Sequence, residues 1–466
     1  MFVGRKQELD SLEQCFRDKR AKIVTVYGRR RIGKSYLIEH FVRGKKCLRF
    51  EGLESQKTPT QIKYFVHDLA KQLGDDVLAH AEFDHWENVF EYLTDFMSHT
   101  NEKWIIFFDE FQWLAANQGR LVSLLKKYWD QSWSKQKVLI ILCGSVSSYM
   151  VKNVIKSKAM YGRIDLEICL TQLSPREAFL LAKSKRSAYE IFRYLLLIGA
   201  VPKYLTLIDA RYSLEQNINK LCFTKNGYFV GEYEKIFYSQ FRDYRTYEQI
   251  VGFLQDRPRS IKEISEHLKI PSGGGLLGYL NNLEKALFVT CYTSYEKGYE
   301  SKNKRYKLTD EFLCLYFKFI KPNLKIIKAS SNKTLFSLLV KNKWNPWLGF
   351  AFENFCLKNA IILAEKMGFA DQVINYGPYF KQGDERFQID LLFIRADKTI
   401  TLCELKYHDE QISTVVIKEV EKKCALISIP RGYTLEKALI SQCGPDEHLA
   451  RAEYFHHFVS VEDWFS

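Results

Sequence analysis

Apolar positions along the chain change their spacing several times, and each change predicts a different element. Between Met1 and Asp165, short runs rich in β-branched and aromatic residues (KIVTVYG, KWIIFFDE, KVLIILCGS) alternate with longer amphipathic stretches. A strand covered on both faces reads as such a continuous run, and the amphipathic stretches are the helices that cover it. Residues 1–165 are therefore expected to form βαβ units around a parallel sheet. From 166 to 240 the spacing turns helical, with YEIFRYLLLIGAVPKYLTLI as the spine of a helical lid. Over 241–321, three helical stretches precede the β-like FVTCYTSY, the turn-rich EKGYESKNK and the closing strand RYKLT, the order of a winged helix-turn-helix. The basic stretch KPNLKIIKASSNK opens a linker over 322–344, and 345–466 reads as a last α/β region.

Composition narrows the function classes. At 466 residues the chain exceeds what one hydrophobic core supports, so several domains are expected. The longest apolar stretch, residues 194–201, is too short to span a bilayer, and MFVGRKQELD lacks the pattern of a leader; no membrane and a cytoplasmic location are expected. None of the 11 cysteines lies in a CxxC pair, which suggests neither a zinc ribbon nor a disulfide framework. A formal net charge of +14 attracts polyanions, and nucleic acid becomes a candidate partner. Aromatic residues at 15% serve either as core or as stacking surfaces for bases.

The most specific motif is Gly28-Arg29-Arg30-Arg31-Ile32-Gly33-Lys34-Ser35, which follows the strand-like KIVTVY and precedes the helical YLIEHFV. This is GxxxxGK[ST] in strand, loop and helix context, a P-loop for Mg-ATP. Its glycines let backbone N–H groups turn inward onto phosphate oxygens, and the helix N-terminus adds partial positive charge. Lys34 reaches the β- and γ-phosphates and the Ser35 hydroxyl takes a Mg²⁺ position. Arg31, Ile32 and Tyr36 complete the nucleotide-binding set. The three loop arginines either meet acidic neighbours or face solvent.

WIIFFD ends in Asp109-Glu110, the form of a Walker B element: Asp109 for Mg²⁺, Glu110 as general base on the attacking water. VLIILC ends at Gly144-Ser145, where Ser145 is placed to sense the γ-phosphate, and Arg163 is a candidate for stabilising phosphoryl charge.

Near the C-terminus, FQIDLLFI and TITLCELK read as strands joined by a turn at Ala396-Asp397-Lys398. Such a hairpin brings Asp390 beside Glu404, with Lys406 on the same face as Glu404 because strand side chains repeat every two residues. Two carboxylates hold Mg²⁺ or Mn²⁺, and Lys406 orients or deprotonates water, which makes all three catalytic candidates. In the helix-turn-helix region, Tyr279, Asn281, Asn282 and Lys285 occupy the recognition position after three glycines, with the helix expected to begin near Leu276. Lys297, Lys302, Lys304 and Arg305 decorate the wing. These residues either meet nucleic acid or belong to a packing unit.

Taken together, FVGR with Glu8-Leu9, YGRRRIGKS, FFDEFQ, CGS, YGR and GAVPKY resemble the prokaryotic AAA+/STAND-type ATPases related to archaeal replication initiators, over the first half of the chain. The resemblance implies that Val3, Gly4 and Arg5 lie by the adenine and that Pro202 in the lid approaches the base. The spacing Asp-x(13)-Glu-x-Lys resembles the PD-(D/E)xK nucleases over about the last quarter. It implies a further metal-binding acid, Glu353, on the first core helix of that domain. The expected fold class is thus α/β: a P-loop parallel sheet with a helical lid, a winged helix-turn-helix and a C-terminal restriction-endonuclease-like α/β domain. The functions in competition are an ATP-controlled metal-dependent nuclease, DNA favoured, working as a homo-oligomer; a nucleotide switch that binds DNA or protein through an idle nuclease-like domain; and an ATPase whose later domains are scaffolding.

Overall fold

The computed structural model describes residues 2–466 apart from 117–118, 146–149, 183–185, 242–243, 297–298, 331–333 and 382–386. The chain divides into two compact units, 1–172 with 240–242, and 173–239 with 243–466.

The first unit is built on five parallel strands, β1 (Lys22–Gly28), β2 (Cys47–Glu51), β3 (Trp104–Asp109), β4 (Val138–Ser145) and β5 (Leu166–Leu170), in the order β2-β3-β4-β1-β5. Alternate residues of each strand serve opposite cores. On β3, Ile106 and Phe108 face helices Thr58–Leu73, Trp86–Ser98 and Arg120–Gln131, whereas Ile105 and Phe107 share a cluster with Leu12, Leu37 and Ile38 of the helices Lys6–Arg17 and Lys34–Phe41. All eight residues of β4 are buried, as its central place demands. The registers Tyr27↔Gly144, Gly28↔Ser145 and Glu51↔Asp109 bring the strand ends of β1, β2, β3 and β4 to one edge. Ligands of open parallel sheets bind beyond this carboxyl edge.

Two strands differ from the sequence expectation. CLRFE was not foreseen as β2, and Leu166–Leu170 pairs with β1 as an edge strand; the helical stretch starts only at Pro175. Both are five-residue strands whose outer positions carry polar side chains, so neither shows the unbroken apolar run of a central strand.

The second unit opens with helices Pro175–Ala182, Ala188–Ile198, Pro202–Leu205, Leu214–Cys222 and Tyr228–Gln240. Phe192 packs against Phe355 (5.1 Å) and Phe352 (6.0 Å) of helix Lys341–Lys358, and Phe179 stacks on Phe465 at 4.7 Å, so these helices share a core with the chain's last segment. Next come helix Tyr244–Phe253, strand β6 (Arg259–Ser260), helices Ile261–Leu268 and Gly274–Lys285, then the antiparallel hairpin β7 (Val289–Glu296) and β8 (Tyr299–Leu308), in the sheet order β6-β8-β7. Helix Gly274–Lys285 begins two residues earlier than expected. Its first-turn N–H groups have no intrahelical partner in any case, so glycines there weaken it less than they would mid-helix. Much of the supposed wing turn belongs to β8. The expected linker carries short helices, Leu324–Ala329 and Leu335–Leu339, because Ile327, Leu335 and Phe336 are buried.

The last sheet has the order β13-β12-β11-β10-β9, from β9 (Val373–Lys381), β10 (Phe387–Arg395), β11 (Thr399–Lys406), β12 (Thr434–Ser441) and β13 (His457–Val459). β9, β10 and β11 are antiparallel; β11, β12 and β13 are parallel, with helix Val415–Leu426 crossing between β11 and β12. It is a mixed α/β layer. Among the described residues no helix is long and apolar enough to cross a membrane.

Candidate functional site

In the first unit, β1 ends at Gly28 and the loop returns through Arg31 (φ 75°) and Gly33 (φ 87°) into helix Lys34–Phe41. Two left-handed residues close together curl the loop so that amides turn to its concave side, an anion-binding nest. Lys34 is buried, and its Nζ donates to the carbonyls of Gly28 (3.2 Å) and Arg29 (3.1 Å), which lays the ammonium across the loop. Ile32 is buried beneath the loop, while Ser35 is half-buried and Tyr36 exposed at its rim. A cleft of about 340 Å³ is lined by Gly33, Lys34, Ser35, Tyr36, Glu51, Glu110 and Trp113, together with Arg30 and Arg31. The three loop arginines part company. Arg29 is buried, the Arg30 guanidinium lies 5.3 Å from the centre of the Trp113 ring, and Arg31 is exposed.

Across the cleft, Asp109 is 3% exposed and accepts from Arg49 Nη2 at 3.2 Å and from the Glu110 N–H at 3.1 Å. Arg49 also pairs with Glu39. Burial, reinforced by the Asp109 charge, raises the Glu51 carboxyl above its ordinary range. Glu110 sits at φ 45° and is bonded by Gln112, whose amide nitrogen also donates to Ser145 Oγ at 3.3 Å. Arg163 is engaged elsewhere: Nε and Nη2 bind Asp130 at 2.7 and 2.8 Å, and Nη1 caps the carbonyls of Ala159 and Tyr161.

The N-terminal residues gather beside this loop. Gly4 (φ 74°) and Arg5 (φ 62°) turn the chain, and the buried Arg5 guanidinium donates to the Thr171 carbonyl at 2.6 Å and the Ile32 carbonyl at 3.4 Å. Val3 is half-buried, and Phe2 stacks on His40 at 4.0 Å and lies 5.6 Å from Tyr36. Pro202 belongs to the second unit, where it opens helix Pro202–Leu205.

The second unit contains the acidic cluster. β10 and β11 pair antiparallel with Leu391 opposite Cys403 and Ile394 opposite Ile400, and the turn falls at 396–398 as expected. One step beyond the Leu391–Cys403 pair stand Asp390 and Glu404. Glu404 is 2% exposed, and both its oxygens face ammonium groups: Lys406 at 3.2 Å and Lys423 at 2.6 Å. Lys406 bonds Glu419 at 2.5 Å as well. Burial alone would lower the Lys406 pKa, but its carboxylate neighbours outweigh it and hold it above the ordinary value. Asp390 accepts from Gln388 at 3.0 Å; burial pushes its carboxyl up, opposed by Lys423 and assisted by Glu404. Burial, then the Asp390 charge, raises Glu353 to about 7. Lys307 on β8 is pushed down by burial and feels both Glu353 and Asp390.

Among the described residues no group of three or more His, Cys, Asp or Glu side chains is gathered in a form that could hold a metal ion. The expected trio Glu353, Asp390 and Glu404 is therefore not a preformed three-carboxylate cage. Like charges repel in a buried site, and lysines have taken the places beside Glu404.

Among the recognition candidates, Asn281 and Lys304 are exposed. Tyr279 packs on the Tyr247 ring (4.9 Å), Asn282 donates to the Tyr247 hydroxyl (2.7 Å), Arg305 pairs with Glu263 (3.6 Å), and Lys285 is half-buried. Lys297 and the side chain of Lys302 lie outside the described residues. Arg49, Gln112, Lys307 and Lys423 were missed as site residues. Gln112 lies inside the FFDEFQ motif, and Arg49 is a cation interrupting a short sheet run.

Residues 2–206 match a family model described as an ATPase domain predominantly from Archaea, and residues 316–422 match one described as archaeal and bacterial proteins of unknown function. An uncharacterized protein of Methanocaldococcus jannaschii is 25% identical over 438 residues, 92% of this chain and 93% of that one. An uncharacterized ATP-binding protein of the same organism is 47% identical over 49 residues, 10% of this chain and 83% of its own length. A Walker-type ATPase of Pyrococcus abyssi shares the fold with a TM-score of 0.51 and 19% identity, covering 68% of this chain and 96% of that one. Residues 2–206 thus carry an ATP-binding P-loop ATPase domain of archaeal type.

Proposed function

We propose that the chain is an AAA+/STAND-type ATPase whose nucleotide cycle controls a metal-dependent nuclease domain acting on nucleic acid, DNA before RNA. The observation that carries the nuclease half is the opposition of Asp390 and Glu404 across one hairpin, with Lys406 beside Glu404 and Glu353 within range of the Asp390 charge. Two carboxylates and an ammonium are the donor set for a divalent cation and an attacking water on a phosphodiester. Mg²⁺ or Mn²⁺, when bound, would supply charge neutralisation on the scissile phosphate; Asp390, Glu404 and Glu353 would hold it, and Lys406 would orient the water.

For the nucleotide half, the curled loop and its buried lysine suit a triphosphate tail. Lys34 exchanges loop carbonyls for phosphate oxygens, Ser35 and Asp109 hold Mg²⁺, and Glu110 acts as base. Ser145 answers to the γ-phosphate, and Arg163 does so only on release from Asp130, while Val3, Gly4, Arg5, Arg31, Ile32, Tyr36 and Pro202 contribute to nucleotide binding. We assign the ATPase core to 1–165 together with its edge strand β5, the helical lid to the rest of 166–240, a winged helix-turn-helix to 241–321, a helix-bearing linker to 322–344 and the PD-(D/E)xK nuclease-like domain to 345–466. The helix, strand, helix, helix, hairpin order from Tyr244 to Leu308 supports the winged-helix assignment. The +14 charge supports a polyanionic partner, and within this reading the protein works in the cytoplasm as a homo-oligomer.

One observation favours a second reading, an ATP-dependent DNA- or protein-binding switch with an idle nuclease-like domain: both Glu404 oxygens are already taken by lysines. Incubating the purified chain with DNA and RNA, with and without ATP and with Mg²⁺ or Mn²⁺, separates the two. Metal-dependent cutting that disappears in Asp390→Asn supports the nuclease. ATP-dependent binding without cutting supports the switch, and cutting that survives Asp390→Asn removes the proposed site.

A further inference from the structure

Gln112 stands between two groups assigned separate tasks above. It lies in the short helix Phe111–Leu114 just past β3 and is 3% exposed; its single amide nitrogen donates to Glu110 Oε2 and, at 3.3 Å, to Ser145 Oγ. An amide nitrogen carries two N–H groups at a fixed angle, so two acceptors fix the side chain in both directions. The packing allows little else. A Cβ added at Gly144 would fall 2.4 Å from Gln112 Oε1 and 2.9 Å from Met150 Cγ, so the amide fills the space that any side chain at 144 would need.

We propose that Gln112 is a positioning residue for ATP hydrolysis, holding the general base Glu110 in register with the γ-phosphate sensor Ser145. The inference rests on the reading of the P-loop cleft as a hydrolytic site. Three features argue for it. Glu110 sits outside the regular helix at φ 45°, and Gln112 ties its carboxylate. The tie is neutral: a cation in that place would stabilise the ionised carboxylate more strongly and weaken its pull on a proton. Finally, Ser145 accepts from Gln112, which leaves its hydroxyl hydrogen for a second acceptor such as a phosphate oxygen. A displacement of Ser145 by nucleotide is then passed to the base through one side chain.

The test is steady-state ATP turnover by the full chain carrying Gln112→Met, which keeps length and bulk but has no donors. The expected result is a kcat about 10- to 100-fold lower with KM for ATP within about threefold of wild type, since a misplaced base slows chemistry without loosening the phosphate grip. Gln112→Asn, which keeps the amide on a shorter stem, should recover less than half of the lost rate. Wild-type kcat in Gln112→Met, or a raised KM with kcat unchanged, overturns the role and leaves Gln112 as packing. Should the Met variant fail to fold, Ser145→Ala carries the question: it should lower kcat with KM held, and unchanged kcat overturns the link. A wild-type protein that binds ATP without turning it over overturns the hydrolytic reading together with this role. Turnover that survives Gln112→Met overturns this role alone.

Discussion

The nucleotide cleft at the carboxyl edge of one sheet and the carboxylate cluster on the inner strands of another are both polar sites, yet they are assembled in opposite ways. The cleft is made mainly by one contiguous stretch, 28–36, whose backbone supplies the binding groups, with acids delivered from neighbouring parallel strands. The cluster has no such stretch: Lys307, Glu353, Asp390, Glu404, Lys406 and Lys423 come from two strands of the last sheet, two helices and β8. Backbone amides are neutral and do not titrate, so a loop that binds through them needs no charged partner to be buried, and its one buried ammonium rests on the loop's own carbonyls. Buried carboxylates must be paired or protonated, so the cluster saturates itself with lysines and raised pKa values. A site made of main chain is preorganised, whereas one made of converging charges has to be reorganised before it can act.

The contrast sharpens first at Glu110. Glu110→Gln should leave Mg-ATP binding within a few-fold of wild type and cut turnover by about 10²- to 10⁴-fold, measured as phosphate release. If binding falls with turnover, the cleft depends on side-chain charge as the cluster does.

The next effect is on stability. Glu404→Ala takes the carboxylate from Lys423, about one-fifth exposed beside a buried strand, and leaves Lys406 paired with Glu419 alone. Loss of one partner from such an array should cost about 2–4 kcal/mol by denaturant titration, reduced from a fully buried pair because water reaches the lysines. An unchanged midpoint would mean that the cluster is not self-saturated.

A smaller effect is tied to pH. Burial and the Asp390 charge hold Glu353 at about 7 against an ordinary 4.5, so the folded chain binds its proton more tightly than the unfolded one. Stability from this group is therefore lost as pH rises between those values. In chelator, Glu353→Gln should be more stable than wild type by roughly 1–3 kcal/mol above pH about 7, with the gap closing below about 4.5. A gap independent of pH would contradict the assigned environment.

The same contrast explains what could be read from the chain alone. The P-loop, its strand and the acidic end of β3 were legible because their chemistry is contiguous and their strands are central and mostly apolar. The β10–β11 hairpin and the Asp390–Glu404 opposition were legible because a turn sets the register of two strands. Arg49, Lys307 and Lys423 were not, since each enters its site from an element whose neighbours only tertiary folding decides; Gln112, though inside FFDEFQ, was not either, because only the fold brings it against Ser145. β2 and β5 hid as strands because short peripheral strands carry polar residues, and the stretch 322–344 hid its helices behind a basic composition.

Nucleotide binding by this chain rests on the loop at 28–35 holding a triphosphate through amides and one buried ammonium. Calorimetric titration of the whole chain with Mg-ATP, alongside Lys34→Ala, tests this most directly. A saturable single-site heat in the wild type that vanishes in the variant is the predicted result; no heat in the wild type, or matching isotherms in both, would contradict it.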